Sequence, residues 1–207
     1  RPIEEDAALQ LLKFDSADGK SVFWHSAAHV MAQAVARLFP FAKLTIGPVF
    51  ESGFYYDIDH EPFKPEDMEK IEREMAQVVA EKLDIHRKVL TKAEALKIFK
   101  DNSYKIEIIN EDVKAGEEIS AYQQGDFIDL CHGPHVPSTS YIKAFKLTKI
   151  SGAYWRGDAK NKPLQRLYGI AFPSRKQLDE HDALLREAEK RDHRKLGRDL
   201  ELFMFHD

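Results

Sequence analysis

Two pairs of residues in this chain have the types and the spacing that chemistry uses. His25 and His29 stand four apart in WHSAAHV (24–30), and Cys131 and His135 stand four apart in DLCHGPHVPS (129–138), which also carries Asp129 and His132. On a helix, positions i and i+4 lie one turn apart on one face, so both imidazoles of the first pair point the same way. That is ligand spacing for a metal, and equally the spacing for two imidazoles to share one water. Gly133 and Pro134 force a turn within the second pair. A strand ending in such a turn can complete a tetrahedral zinc site made of His25, His29, Cys131 and His135. Alternatively Cys131 is a nucleophile whose thiol is acidified by an imidazole. In a third reading, thiol and imidazoles bind substrate and water with neither metal nor covalent step. The hydrolytic zinc motif of this shape needs a glutamate after its first histidine as general base; Ser26 stands there, which weighs against a metalloprotease. A buried cysteine among satisfied core histidines is the ordinary alternative. Two pairs beside Asp129 in one small chain favour chemistry, but spacing alone does not choose its form.

The elements that must hold these residues are readable in outline. FWHSAAHVMAQAVARLF (23–39) has a helical period, with Ala28, Met31, Val35 and Leu38 on one side and Pro40 ending it. KLTIGPVF (43–50) and FYYDID (54–59) read as strands around a hairpin at Ser52-Gly53. Pro65, Glu66 and Asp67 open a helix to about Lys82, because proline suits the first turn and acids favour the positive end of the dipole. DIHRKVLT (84–91) is extended, and Thr91 with Glu94 forms a capping box for a short helix to about Lys100. YKIEIIN (104–110), EISAYQ (118–123), DFIDLC (126–131), FKLTKIS (145–151), AYWRG (153–157) and LQRLYGIAF (164–172) all read as strands. Ser174 with Gln177 caps a long charged helix whose apolar positions are too sparse for a deep core. The fold class expected is α+β, a mostly antiparallel sheet with helices packed on one side and a long C-terminal linker helix.

Composition narrows the classes. At 207 residues and 43% hydrophobic the chain can bury a real core. Its single cysteine excludes an intrachain disulfide and, in a reactive context, favours a reducing, cytoplasmic compartment. No apolar run approaches the ~18–20 residues of a membrane span, so no membrane partner is expected. A net charge of −4 argues against a protein that coats nucleic acid. Charge is nonetheless uneven: residues 141–166 hold seven bases against one acid, and residues 51–74 nine acids against three bases. A local basic face suits a polyanion gripped at one end, and two solvated faces are the plainer reading.

Taken in order, HSAAH, GPVFESGFYYDID, YKIEI, DLCHGPHVPS and SGAYWRGDAKNKPLQRLYG resemble the editing domain of threonyl-tRNA synthetases, over about residues 20–172. The tail EAEKRDHRKLGRDLELF resembles the linker helix into that family's aminoacylation domain. The resemblance implies four parts: 1–15 the remnant of a preceding N-terminal domain, 16–173 the editing domain, 174–198 the linker helix, and 199–207 the start of an aminoacylation domain otherwise absent here. It implies hydrolysis of seryl-tRNA made in error on the threonine tRNA. His25, His29, Lys105, Asp129, Cys131 and His135 would be catalytic, with His25 placing the water, Asp129 holding the substrate ammonium or hydroxyl, and Lys105 facing the oxyanion or the terminal ribose. Tyr56, Tyr122, His132 and Arg156 would bind substrate, and Trp155 would reach the acceptor end or fix the strand pair. His132 departs from the family, where arginine is frequent, which makes any charge there depend on pH. The implied partner is the acceptor end of the threonine tRNA carrying serine. This piece would be monomeric and the full-length protein a homodimer. No cofactor is required for editing in that family; zinc at the His/Cys cluster is the alternative, as in the related alanyl deacylases, and ATP serves only the absent domain. A tRNA-binding module with a silent site and a structural zinc domain are the readings outside catalysis.

Overall fold

A computed structural model describes residues 6, 10–111, 113 and 118–191. The first helix, α1 (Ala17–Leu38), begins six residues earlier than expected because the Ser16 hydroxyl accepts the Gly19 amide at 3.1 Å and Asp18 lies in the first turn. It is buried on nearly every side from Phe23 to Val35, and Ala27, Ala28, Ala32 and Ala34 let neighbours approach closely. Leu38, on the same apolar side as Ala28, Met31 and Val35, is exposed at the end of the helix.

The β-structure forms two antiparallel sheets where one was expected. The larger runs β1 (Lys43–Leu44), β3 (Gly53–Asp59), β8 (Pro163–Phe172), β7 (Ala144–Tyr154), with β2 (Val49–Phe50) also on β3. The smaller runs β4 (Ile85–Leu90), β5 (Ile119–Gln124), β6 (Phe127–Leu130). Residues 43–50 are thus two short strands with a loop at Thr45–Pro48, and the hairpin pairs Phe50 with Gly53. FKLTKIS and AYWRG are not separate strands. They make one strand, β7, with an irregularity between Leu147 and Lys149, followed by a single helical turn at Trp155–Gly157.

The second helix, α2 (Pro65–Ala80), packs on α1 and presents Ile71, Met75 and Val78. The Thr91–Glu94 box caps α3 (Lys92–Ile98) as expected. The stretch YKIEIIN overturns its strand reading: it forms α4 (Ser103–Glu111). Asn102 starts it, its Oδ1 accepting the amides of Tyr104 at 3.1 Å and Lys105 at 3.4 Å, while its Nδ2 donates to the Leu44 carbonyl at 2.7 Å. Its isoleucines favour a strand by propensity, but that preference yields to packing. Tyr104 and Ile108 join Trp155 and Leu164, whereas Ile109 joins Phe99 and Ile119. The charged helix α5 (Arg175–Lys190) starts at Ser174, whose hydroxyl accepts the Gln177 amide at 3.4 Å, and buries only Leu178 deeply. The expected continuation of that helix to 198 and the expected segment 199–207 lie outside the described residues, as does most of 1–9. The α+β class holds, with 42% helix and 28% strand among the described residues. The main core, around Met31, Phe54, Tyr56, Ile58, Met75 and Leu167, lies between α1, α2 and the larger sheet.

Candidate active site

Four elements converge on one small volume. Helix α1 delivers His25 and His29, their rings 5.2 Å apart. Strand β6 delivers Asp129, with Cys131 two residues on and therefore on the same side. The chain then turns at Gly133 (φ +70), through a cis Gly133–Pro134 bond, and returns His135 to the cluster. Only glycine fits at 133, since a Cβ there would stand 2.0 Å from the Tyr122 hydroxyl oxygen. Sγ of Cys131 lies 3.3 Å from Nε2 of His25 and 3.2 Å from Nε2 of His135, and it accepts the Gly133 amide at 3.2 Å.

A second group surrounds Asp129. Lys105, brought by α4, places Nζ 2.6 Å from its Oδ1, and the Tyr56 hydroxyl from β3 donates to Oδ2. Nε2 of His29 lies 3.8 Å from that same oxygen. Lys105 and Asp129 are each only 3% exposed. A buried charge needs a partner of opposite sign, and here each supplies the other's.

Burial decides the protonation of the rest. Desolvation lowers His25, only partly offset by the Asp129 charge. It takes His29 well below the usual imidazole range, helped by His25 and Lys105, and brings His135 down to about 2. The same cause pushes the Cys131 thiol up to about 12 and the Tyr56 phenol well above its ordinary value. Three neutral imidazoles therefore face a neutral thiol at pH 7. A nucleophilic cysteine needs the opposite shift, so the electrostatics oppose that reading.

A cavity of about 600 Å³ opens onto the cluster. His25, His29, Tyr56, Lys105, Asp129, Cys131, His132 and Arg156 all line it. Tyr122 and His135, both expected at the site, do not. Their rings pack together, centroids 4.4 Å apart, and the Tyr122 hydroxyl abuts Gly133 of the turn. Tyr56, expected to meet substrate, has its hydroxyl engaged by Asp129. Arg156 (φ +53) donates to Glu107 at 2.9 Å, which also accepts the Trp155 indole at 2.9 Å. Sequence reasoning missed other residues that line the cavity: the Thr45–Pro48 loop and Ile108. Gly47 in that loop lies against the Tyr56 ring, which a Cβ there would meet at 2.3 Å, a contact that no sequence pattern records. It also missed Ser120, whose hydroxyl donates to the Cys131 carbonyl at 2.7 Å.

The donor set fits zinc. One ligand atom from each of His25, His29, Cys131 and His135 lies within 4.8 Å of all the others, and three nitrogens with one sulfur suit a tetrahedral site. Nδ1 of His135 has an outer partner in Ser26, as metal-bound imidazoles ordinarily do. Nδ1 of His29 has none among the described residues.

An antiparallel hairpin and the turn after it thus set aspartate, cysteine and histidine against a helical histidine pair. Residues 119–168, from β5 into β8, match the family described as the threonyl and alanyl tRNA synthetase second additional domain. Threonine–tRNA ligases match nearly the whole chain. The chain is 54% identical over 207 residues to a threonine–tRNA ligase of Caldanaerobacter subterraneus, covering 99% of this chain and 32% of the relative. It is 55% identical over 204 residues to that of Carboxydothermus hydrogenoformans, covering 97% of this chain and 32% of the relative. A third, from Desulforamulus reducens, is 56% identical over 205 residues. The expected resemblance to threonyl-tRNA synthetases holds along nearly all of this sequence, and the chain spans about a third of the length of the curated relatives it matches. Among the described residues no helix is long and apolar enough to cross a membrane.

Proposed function

We propose that this chain is the proofreading part of a threonine–tRNA ligase and hydrolyses seryl-tRNA formed in error on the threonine tRNA. The observation that carries the reading is the buried Lys105–Asp129–Tyr56 group set beside neutral His25 at one end of an open cavity. An aminoacyl ester is already activated. Its hydrolysis needs a placed water, a site for the α-ammonium and stabilisation of the developing oxyanion.

His25, half-buried on the cavity wall and uncharged, accepts the proton of the attacking water. Asp129 spends one oxygen on Lys105 and the other on Tyr56, yet a carboxylate has about four lone-pair sites, so it can still receive the ammonium or hydroxyl of serine. The Lys105 ammonium faces the ester oxygen or the terminal ribose hydroxyl. As the tetrahedral intermediate collapses, the ribose oxygen leaves with the proton His25 took up. Cys131 shapes the site as a neutral thiol. A second site of this kind is needed because one methyl group in a pocket discriminates by only about 10–200-fold.

The runner-up is a zinc-dependent alanyl or seryl deacylase, favoured by the clustering of four ligand atoms. Held by His25, His29, Cys131 and His135, zinc would supply a Lewis acid for water or carbonyl. A tRNA-binding module without turnover is the third. Dimerisation through other parts of a longer protein and a cytoplasmic setting belong to the same proposal.

The test is hydrolysis of seryl- and threonyl-tRNA, both made on the threonine tRNA, with and without chelator. Faster loss of serine, abolished by His25→Ala and Asp129→Ala and indifferent to chelation, supports the proposal. Inhibition by chelator moves the reading to the zinc enzyme. Binding of tRNA with no turnover of either ester leaves the binding module.

A further inference from the structure

Ser26, which stands where a zinc hydrolase would carry its glutamate, is fully buried and meets three groups at once. Its hydroxyl donates to the Val22 carbonyl at 2.8 Å, accepts the Val136 amide at 3.0 Å and lies 3.2 Å from Nδ1 of His135. A hydroxyl has one proton and two acceptor sites. The Val22 carbonyl can only accept, and as the shortest of the three contacts it takes the proton. The Val136 amide can only donate, so it occupies one lone pair. What remains to face His135 is the second lone pair, and an acceptor facing a ring nitrogen calls for a hydrogen on that nitrogen.

From this geometry we infer that Ser26 is a positioning residue that holds His135 in its Nδ1–H tautomer and leaves the Nε2 lone pair aimed at Cys131. Nε2 stands 3.2 Å from Sγ. An unprotonated Nε2 there takes the thiol hydrogen, or ligates a metal, from one and the same ring position. The other tautomer would turn the hydroxyl away from Val22. Ser26 also ties α1 to the 131–136 turn, so the two histidine-bearing segments share one fixed point.

The consequence for turnover rests on the hydrolase proposal; the tautomer does not. Isotope-labelled histidine, read by NMR at neutral pH with chelator present, is expected to show His135 with a pyrrole-type Nδ1 and a pyridine-type Nε2. In Ser26→Ala, with the amide spectrum retained, the tautomer is expected to switch or become mixed. Loss of this partner is expected to lower kcat for the seryl ester several-fold with KM unchanged. A wild-type His135 carrying its hydrogen on Nε2 overturns the inference, and so does an unchanged Nδ1–H tautomer in Ser26→Ala. If that variant does not fold, the wild-type spectrum decides alone. A tautomer that switches in a protein inert towards seryl-tRNA would sink the hydrolase proposal and leave the role of Ser26 standing.

Discussion

Asp129 and Lys105 are the residues on which most depends, because they form an ion pair at 2.6 Å in a site where both are buried. Removing one partner of such a pair strands the other and costs about 3–5 kcal/mol, whereas replacing both with apolar groups is often neutral. Lys105→Ala is therefore expected to lower the urea unfolding free energy by roughly that amount. Lys105→Met combined with Asp129→Leu should regain most of it while remaining inactive on seryl-tRNA. Full activity in the double variant would remove both residues from the mechanism. Gly133 is the other decisive position. Alanine there combines a left-handed φ with a Cβ 2.0 Å from the Tyr122 hydroxyl oxygen and 2.3 Å from the ring carbon bearing it. Gly133→Ala is expected to destabilise by more than about 2 kcal/mol and to stop ester hydrolysis, checked by denaturation beside a deacylation assay. Tyr122→Phe should not rescue it, because the ring carbon stays in place.

Helix caps and charged strands carry the next level. Asp67 accepts the Lys64 amide at the start of α2, which lowers its carboxyl below the ordinary 3.8, and Glu94 accepts the Thr91 amide at the start of α3, which lowers it below 4.5. The folded-state values lie below the unfolded ones. The stability these groups contribute is thus present above the unfolded values and is lost as pH falls through the folded ones. The urea midpoint is expected to fall between pH 5 and pH 3, and less so in Asp67→Asn with Glu94→Gln. An identical pH profile for that variant would dismiss the caps. At the same level, the two charge runs that the sequence presents as separate faces meet each other. Arg166 on β8 binds Asp57 on β3 through Nε and one terminal nitrogen, at 2.6 and 2.8 Å, and Lys162 reaches Asp59 at 2.7 Å. Lys146 pairs with Asp182 and Arg156 with Glu107. Four of the seven bases in 141–166 are therefore neutralised within the chain, which shrinks the basic face that composition alone suggests for a polyanion.

For the molecule as a whole, the question is what the cluster contributes to folding. The main core is an apolar cluster between α1, α2 and the larger sheet, and it is expected to hold the chain together whether or not a metal sits at the His/Cys cluster. Chelation is expected to move the melting temperature by no more than about 2 °C, in contrast to small zinc domains that unfold when stripped. Thermal unfolding with and without chelator measures this, and a large drop would reinstate the structural zinc reading. The site itself lies where the two sheets meet: Tyr56 comes from the larger, Asp129 from the smaller, and α4 and α1 bring Lys105 and the histidines.

By itself the sequence determined what depends on near neighbours. The i, i+4 histidine pair, the turn forced by Gly133 and Pro134, the shared side of Asp129 and Cys131, the Thr91–Glu94 box and the α+β class all follow from periods of 3.6 and 2 and from local hydrogen bonding. Tertiary structure alone decided the rest, because those questions turn on contacts between segments far apart in the chain. Whether YKIEIIN is strand or helix depended on Asn102 reaching Leu44 and on the Trp155–Leu164 surface it packs against. Whether the strands made one sheet or two, and which basic side chains were already spent on Asp57 and Asp59, depended on pairing across about a hundred residues. Protonation was decided the same way: Cys131 and His135 are neutral because burial strips them of water, and no spacing in a sequence records depth.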